Sequence, residues 1–529
     1  MRRKTLTPRN PEFPPTGWTG KPLGEIARAL KAGDVSAEDL VTAYFARIEL
    51  IDRAGPTLQS VLTVNPDVLD EARRLDTKRM AGEPLGALHG LPLLIKDNIE
   101  TRDAMATTAG ALALKDNLTG RDAPLVKGLR AAGAIILGKT NLSQWANFRA
   151  QNSISGWSAL GGQVRNPHML DRTPCGSSSG SGAAVAASLA AGAIGTETNG
   201  SIICPANVNG IVGFKPTVGL VSQQHIIPIS SSQDTAGPMT RTVEDAAMLL
   251  SAMATGPKAK DFVSGLSLTA LEGTRVGVLR FAQGPNRNII SRFDTSLAIL
   301  EEAGAILIEI DDPGPRVRGL ERLAVDLLKF EFHHTLDAYL ADTPQAVTVR
   351  SLDDLIAFNK MHADIELALF GQDTLEAAAK LPGLDDPRYL KARETVQSAT
   401  RANGIDALLS KHDVSVLVAP SGAIAPRTDP VNGDVWPEGP GAAGFMAAVA
   451  GYPHLTVPMG TVHSIPVGLS FVGAKDRDAA VLSMGYAWEQ RSGLRAEPQY
   501  LPDAEAIAGI EASMRRETTK GQSDYPDRP

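Results

Sequence analysis

TPCGSSSGSGAAVAASLAAGAIGTETNGSIICPANVNGIVGFKPT, residues 173–217, holds two glycine–serine loops around one alanine-rich segment. The first loop is CGSSSGSG at 175–182 and the second is ETNGS at 197–201. Residues 183–191 between them are predicted to form a short, closely packed helix. Glycine lets a main chain approach a ligand closely and adopt conformations closed to other residues, and serine adds a hydroxyl. Two such loops flanking a packed helix can aim hydroxyls and backbone N–H groups at one point. A flexible linker does not carry AAVAASLAAGAIG between its halves. A phosphate-binding loop needs GxxxxGK[ST], and no lysine follows these glycines. Gly180-Ser181-Gly182 and Asn199-Gly200-Ser201 do not give the GxSxG elbow of α/β-hydrolases. The pattern alone leaves catalysis and scaffolding both open.

Outward from this stretch, helical and strand patterns alternate. Residues 91–96 are an apolar run read as a buried strand, with Lys96 at its end. Helices are predicted over 36–52, opened by a Ser36 capping pattern, and over 66–80, 123–132, 242–255 and 290–303. Strands are predicted over 134–139, 193–196, 275–279, 305–310, 414–419, 454–457 and 467–472, with a helix over 479–490. This rhythm predicts an α/β architecture with a largely parallel or mixed sheet covered on both faces. Residues 314–412 change character to long helical patterns at 318–340, 352–369 and 389–409. They read as a helical insertion over the active-site face and the region of substrate specificity. Its aromatic residues Phe330, Phe332, Tyr339, Phe358 and Phe370 are expected in the core, and His333 and His334 at the surface or in the core.

The chain has 529 residues and a formal net charge of −7, which argues against a nucleic-acid surface. No apolar run reaches the length of a membrane span, and no apolar segment follows the basic N-terminus, so no secretory signal is read. A cytoplasmic location is expected. The two cysteines, Cys175 and Cys204, are too few for a disulfide framework. They read as buried free thiols, with a regulatory disulfide as the alternative. HExxH and zinc-type ligand spacings are absent, so no metal is expected.

Several separate motifs, in order, are similar to those of the amidase signature family. They are GALHGLPLLIKDNIE at 86–100, the two loops above, NGIVGFKPTVGLVS at 209–222, SQDTAGPMTRTVEDAAMLL at 232–250, GYPHLTVPMG at 451–460 and PVGLSFVGAKDRDAAVL at 466–482. The wording PCGSSSGSG with GTETNGSI most resembles the peptide-amidase branch. The resemblance spans residues 22–495. It implies a single domain there: a large twisted mixed sheet with helices on both faces. An extended arm at 1–21 and a tail at 496–529 with a disordered end complete the expected layout.

Carried over position by position, the resemblance implies a Ser-cisSer-Lys triad. Ser201 falls on the nucleophile, Ser177 on the bridging serine behind a cis Gly176–Ser177 bond, and Lys96 on the general base. Backbone N–H groups of Thr198, Asn199, Gly200 and Ser201 fall on the oxyanion hole, and Gly176 and Ser178 on supporting positions. The chain departs from the family pattern at Cys175 and Ser179 (glycine), Glu197 (aspartate), Asn199 (glycine) and Ile203 (arginine). These departures bear on the polar contacts behind the nucleophile loop. The implied reaction is hydrolysis of a small-molecule or peptide amide through an acyl-serine, without a cofactor, by a monomer or homodimer. A component of a tRNA-charging amidotransferase, an esterase or carbamate hydrolase, and a non-catalytic binder on the same scaffold are the alternatives.

Overall fold

Short runs of Val, Ile, Leu and Gly, each bounded by a turn or a helix, make the strands of this chain. The structure is a computed structural model that describes residues 13–315, 317–436, 443–507 and 509–514. In chain order the strands are β1 (Val61–Val64), β2 (Pro92–Lys96), β3 (Ile135–Thr140), β4 (Trp157–Ser158), β5 (Gly162–Gln163), β6 (Gly192–Glu197) and β7 (Val212–Lys215). They continue with β8 (Thr235–Thr240), β9 (Arg275–Leu279), β10 (Ile306–Ile310), β11 (Val416–Pro420), β12 (His454–Val462) and β13 (Ile465–Val472). Eleven of them form one sheet in the order β1-β3-β2-β6-β8-β7-β12-β13-β11-β9-β10, while β4 and β5 pair separately. The β2–β3, β2–β6, β9–β11 and β9–β10 pairs are parallel. The remaining ladders are antiparallel, so the sheet is mixed. Strands β2, β3, β6, β11 and β13 are buried at every position, as expected of strands covered on both faces.

Helix starts follow local chemistry. Ser36 Oγ accepts from Asp39 N at 2.9 Å and Thr242 Oγ1 accepts from Asp245 N at 3.1 Å, each satisfying an N–H that the helix leaves unpaired. Some elements differ from the sequence expectation. The alanine-rich helix occupies Ser179–Ala186, earlier than 183–191, because Ser188 turns to φ +58° and ends it. The predicted 352–369 helix breaks at His362 into Leu352–Met361 and Ala363–Glu366. The predicted 389–409 helix is interrupted at Arg401–Ile405, where Gly404 leaves helical geometry. Beyond residue 495 the chain stays docked: Tyr500 N donates to Pro167 O and Leu170 N to Leu501 O, and Ile507 is buried. Residues 1–12 of the expected arm and 515–529 of the expected disordered end lie outside the described residues. Among the described residues no helix is long and apolar enough to cross a membrane.

The helical region lies against the body of the protein through two buried carboxylates. Glu331, on the Leu320–Ala341 helix, accepts from Ser230 Oγ, from Ser232 N at 3.1 Å and from Tyr389 OH at 3.0 Å. Glu366 accepts from Leu112 N at 2.8 Å and Gln144 Nε2, and pairs with Arg149 at 3.4 Å. Burying a carboxylate is costly unless it is hydrogen-bonded or paired, so both anchor the segment in one register. Phe330, Phe332 and Phe370 are buried and Phe358 packs against the core. Tyr339 and His334 instead line a cavity.

The layers approach closely where side chains are absent. A Cβ on Gly128, in the Pro124–Ala131 helix, would lie 2.1 Å from the Ala252 carbonyl oxygen at the end of the Val243–Met253 helix. Alanine for glycine inside an exposed helix normally gains about 1 kcal/mol. Here Gly128→Ala is expected to destabilise by about 1–3 kcal/mol through overpacking, read as a lower Tm. A raised Tm would contradict this packing.

Candidate active site

Parallel strands β2 and β6 end side by side. Ile95 is in register with Ile194, so Lys96, the last residue of β2, comes close to Thr196, the last residue but one of β6, at the carboxyl edge of the parallel strands, where ligands bind in open α/β sheets. The Lys96 side chain is fully buried. Its Nζ lies 2.7 Å from Ser177 Oγ, 2.8 Å from Thr196 Oγ1 and 3.3 Å from Thr196 O. Asn98 Nδ2 donates to the same Thr196 Oγ1 at 3.0 Å. Burial pushes the Lys96 amine down to about 7, against the opposing pull of the Asp234 and Glu197 carboxylates. A neutral amine in this place has a lone pair to offer.

Ser177 follows Gly176 through a cis peptide bond. A Cβ on Gly176 would lie 2.1 Å from Ser143 Oγ, so any larger residue there must displace that hydroxyl. Ser178 stitches the loops together: its N–H donates to Ser201 O at 3.2 Å and its hydroxyl donates to Thr196 O at 3.0 Å. Ser201 therefore lies in the loop beside Ser178 and Ser177. Among the described residues no hydrogen bond joins Ser201 Oγ to Ser177 Oγ. The structure thus brings Lys96 to Ser177 directly, and Ser201 to them through backbone contact.

The second loop is held from behind. Glu197 Oε2 accepts from Ile202 N at 2.8 Å and Ile203 N at 3.0 Å, at the start of the Ile203–Asn209 helix. The longer carboxylate thus grips backbone N–H groups, beside a buried Ile203 where the family pattern has arginine. Thr198 Oγ1 donates to Asp234 Oδ1 at 2.6 Å, and Asp234 Oδ2 accepts from Ile229 N and Ser230 N. Burial pushes the Asp234 carboxyl up to about 6. Gly200 takes φ +84°, a turn that favours glycine. The N–H groups of Thr198, Asn199, Gly200 and Ser201 find no protein acceptor among the described residues.

A cavity of about 610 Å³ opens onto these loops. Ser177, Thr196 and Thr198 form its floor, and Ile227, Tyr339 and His334 are among its walls. Three contributors are not assigned to the site by the sequence: Thr196, Asp234 and the helix face carrying His334, Tyr339 and Asp342. The last left a trace, since Glu331, His334 or Thr335, Ala338 and Asp342 recur at helical spacing. No local pattern marks Thr196 or Asp234.

One sequence expectation is overturned. Cys175 and Cys204 are not free thiols but form a disulfide, with Cα atoms 5.9 Å apart. Packing of the Ser179–Ala186 helix against the Ile203–Asn209 helix brings together residues that are 29 apart in sequence. Among the described residues no group of three or more His, Cys, Asp or Glu side chains is arranged to hold a metal ion.

The amidase family profile matches residues 39–482. The chain is 34% identical over 518 residues to a Schizosaccharomyces pombe protein that carries an amidase designation, covering 90% of this chain and 86% of that one. It is 33% identical over 505 residues to one of the subunits of the glutamyl-tRNA(Gln) amidotransferase of Halorhodospira halophila, covering 89% and 97%. Its structure is similar to that of the native peptide amidase of Stenotrophomonas maltophilia, with a TM-score of 0.86 and 44% identity, covering 92% of this chain and 100% of that one. With that extent of match and a mixed sheet of the same fold, the chain belongs to the amidase family and is an amide-hydrolysing enzyme.

Proposed function

We propose that the chain hydrolyses linear carboxylic amides through an acyl ester on Ser201, with Ser177 and Lys96 relaying the proton. The observation that carries this reading is the 2.7 Å contact between the buried Lys96 Nζ and Ser177 Oγ. A serine hydroxyl needs a base to become a good nucleophile. The neutral amine turns its N–H groups to Thr196 O and its lone pair to the Ser177 hydroxyl. Ser177 in turn takes the proton of Ser201 as Ser201 Oγ attacks the amide carbon. The backbone N–H groups of residues 198–201, without a protein acceptor among the described residues, are suited to the negative oxygen that develops. Collapse of the tetrahedral adduct returns the proton from Lys96 through Ser177 to the leaving nitrogen, and ammonia or an amine departs. Water, deprotonated by the same relay, then cleaves the ester and frees the carboxylic acid.

In this reading the cavity receives the acyl side of the substrate. Ile226, Ile227, Pro228 and Ile229 make one wall apolar, while His225, Gln223 and Asp342 add polar groups at other points. This lining suits an amide with an apolar or aromatic acyl group bearing further hydrogen-bonding groups, as in peptide C-terminal amides. The likeness to peptide amidase supports the same class. Identity to the amidotransferase component favours a second reading, in which ammonia is delivered to a partner. Amide hydrolysis by the purified single chain, without tRNA or ATP, separates the two; hydrolysis that depends on both would support the second.

Ser201→Ala is expected to lower kcat for amide hydrolysis roughly a thousandfold or more, measured as acid release from a peptide amide. Undiminished turnover would remove Ser201 from the chemistry.

The pH profile follows from the sign of the Lys96 shift. The base works only when neutral, and its pKa lies at about 7, so kcat/KM should rise as pH increases through 7 and then level. Asp234 is the foremost charge holding that pKa up, with Glu197 second. Asp234→Asn should therefore move the acid limb to lower pH. A limb that stays in place or moves upward would contradict this electrostatic arrangement.

A further inference from the structure

The Cys175–Cys204 bridge takes no part in the chemistry above, yet it joins the two segments that carry it. Cys175 stands two residues before Ser177, and Cys204 three residues after Ser201. Each cysteine is also tied into its own loop. Cys175 N donates to Thr173 Oγ1 at 3.1 Å, and Cys175 O accepts from Ser179 Oγ at 2.6 Å at the start of the next helix. Cys204 N donates to Gly200 O at 2.7 Å, closing the turn that contains Ser201. The bridge therefore runs from the backbone just before the Ser177 loop to the turn that presents Ser201.

Beside the bridge, Ser178 N reaches Ser201 O at 3.2 Å, Ser178 Oγ donates to Thr196 O at 3.0 Å and accepts from Thr196 N at 3.2 Å, and Asn209 Nδ2 reaches Pro174 O at 2.9 Å from the far end of the Ile203–Asn209 helix; of these, only the Ser178 N–Ser201 O bond reaches the Ser201 residue itself. Cys175 also holds φ +53°, in the left-handed region that favours glycine, where the family pattern has glycine. A residue in that region persists only when its surroundings impose it. The covalent tie to Cys204 is one such constraint. Cys175 is buried beside Met169, Val208 and Ile507, whereas Cys204 is only partly buried, which leaves an approach for a small thiol.

We propose that this disulfide is a positioning element that fixes the Ser201 turn against the Ser177 loop, so that its opening by a dithiol reductant lowers turnover without weakening substrate binding. The proposal rests on the roles assigned above to Ser177 and Ser201. In the step, the dithiol supplies two electrons and two protons, the Cys175–Cys204 S–S bond breaks, and both cysteines become thiols. The reductant leaves as its own cyclic disulfide. The cavity is lined mainly by residues 223–235 and 334–342 and by neither cysteine, so binding is separable from alignment. A displacement of about 1 Å at the reacting atoms is enough to cost on the order of a hundredfold in rate.

The test compares the full chain in three forms on one peptide amide: oxidised, reduced with dithiothreitol and thiol-titrated, and carrying Cys175→Gly with Cys204→Ala. Cys175→Gly suits the left-handed backbone at that position, so the double variant removes the tie without adding strain. The expected result is a kcat about 10- to 100-fold lower in the reduced and variant forms. KM should stay within about twofold and the acid limb of the pH profile should not move. Reoxidation should restore the wild type, and reductant should not affect the variant. Retained kcat in the variant, or in enzyme shown to carry two free thiols, overturns the proposal. So does a loss that accompanies unfolding by circular dichroism, which would make the bridge a stabilising link only. Ser201→Ala in the same assay keeps the two ideas apart. An active Ser201→Ala defeats the assigned roles, whereas an inactive one beside a fully active bridge-free enzyme defeats only the positioning role.

Discussion

An amine held away from water is a poor cation, and the contact between Lys96 Nζ and Ser177 Oγ depends on that constraint. The ammonium form loses its hydration when buried, and the cost falls on the charged state alone. Lys96 is buried at the end of a strand with both faces covered. Its neighbours are the hydroxyls of Ser177 and Thr196 and the Thr196 carbonyl, with the carboxylates of Asp234 and Glu197 exerting the opposing pull. In the proposed mechanism this balance sets the proton affinity of the base near neutrality, where a general base is most effective.

The rest of the structure arranges that environment. The parallel β2–β6 pair delivers Lys96 and Thr196 to one point. Close packing of the Ser179–Ala186 helix requires residues without bulk: a Cβ on Gly180 would lie 2.3 Å from Ser60 O and 2.4 Å from Asn141 O. From above, the Leu320–Ala341 helix supplies cavity residues and is locked down by buried Glu331. The buried Asp97–Lys139 pair plays a similar part below: Lys139 Nζ donates to Ile99 O and Thr107 Oγ1, fixing the segment that follows Lys96. Such satisfied polar groups inside a protein hold one arrangement against its alternatives.

Much of this was legible before the structure. Continuous apolar runs such as LPLLI and AIIL predicted the buried strands, because burial on both faces leaves no alternation to read. The glycine–serine loops stand out because their composition is unusual for a core, whereas Lys96 at a strand end is singled out only by the family resemblance. What escaped is non-local. Thr196 matters because the sheet register sets it beside Lys96, and Asp234 because a loop 36 residues beyond Thr198 folds back onto it. Free thiols are the favoured reading of the sequence and the disulfide its alternative, since the bridge geometry arises only when two helices pack. The breaks at His362 and Arg401–Ile405 leave no local mark, because the apolar spacing continues through them and neither carries a proline. Docking of residues 496–507 depends on partners at 167–170, more than 300 positions earlier in the chain.

The ionisation of Lys96 is the quantity on which the account turns. With lysine labelled by 13C and 15N, an NMR titration of the folded protein would follow the Lys96 Cε and Nζ signals across the pH range, identified by their loss in Lys96→Met. The account predicts a midpoint near 7. A Lys96 amine that stays protonated until the ordinary lysine range of about 10.4 would contradict it, because the group could then accept no proton from Ser177 at neutral pH.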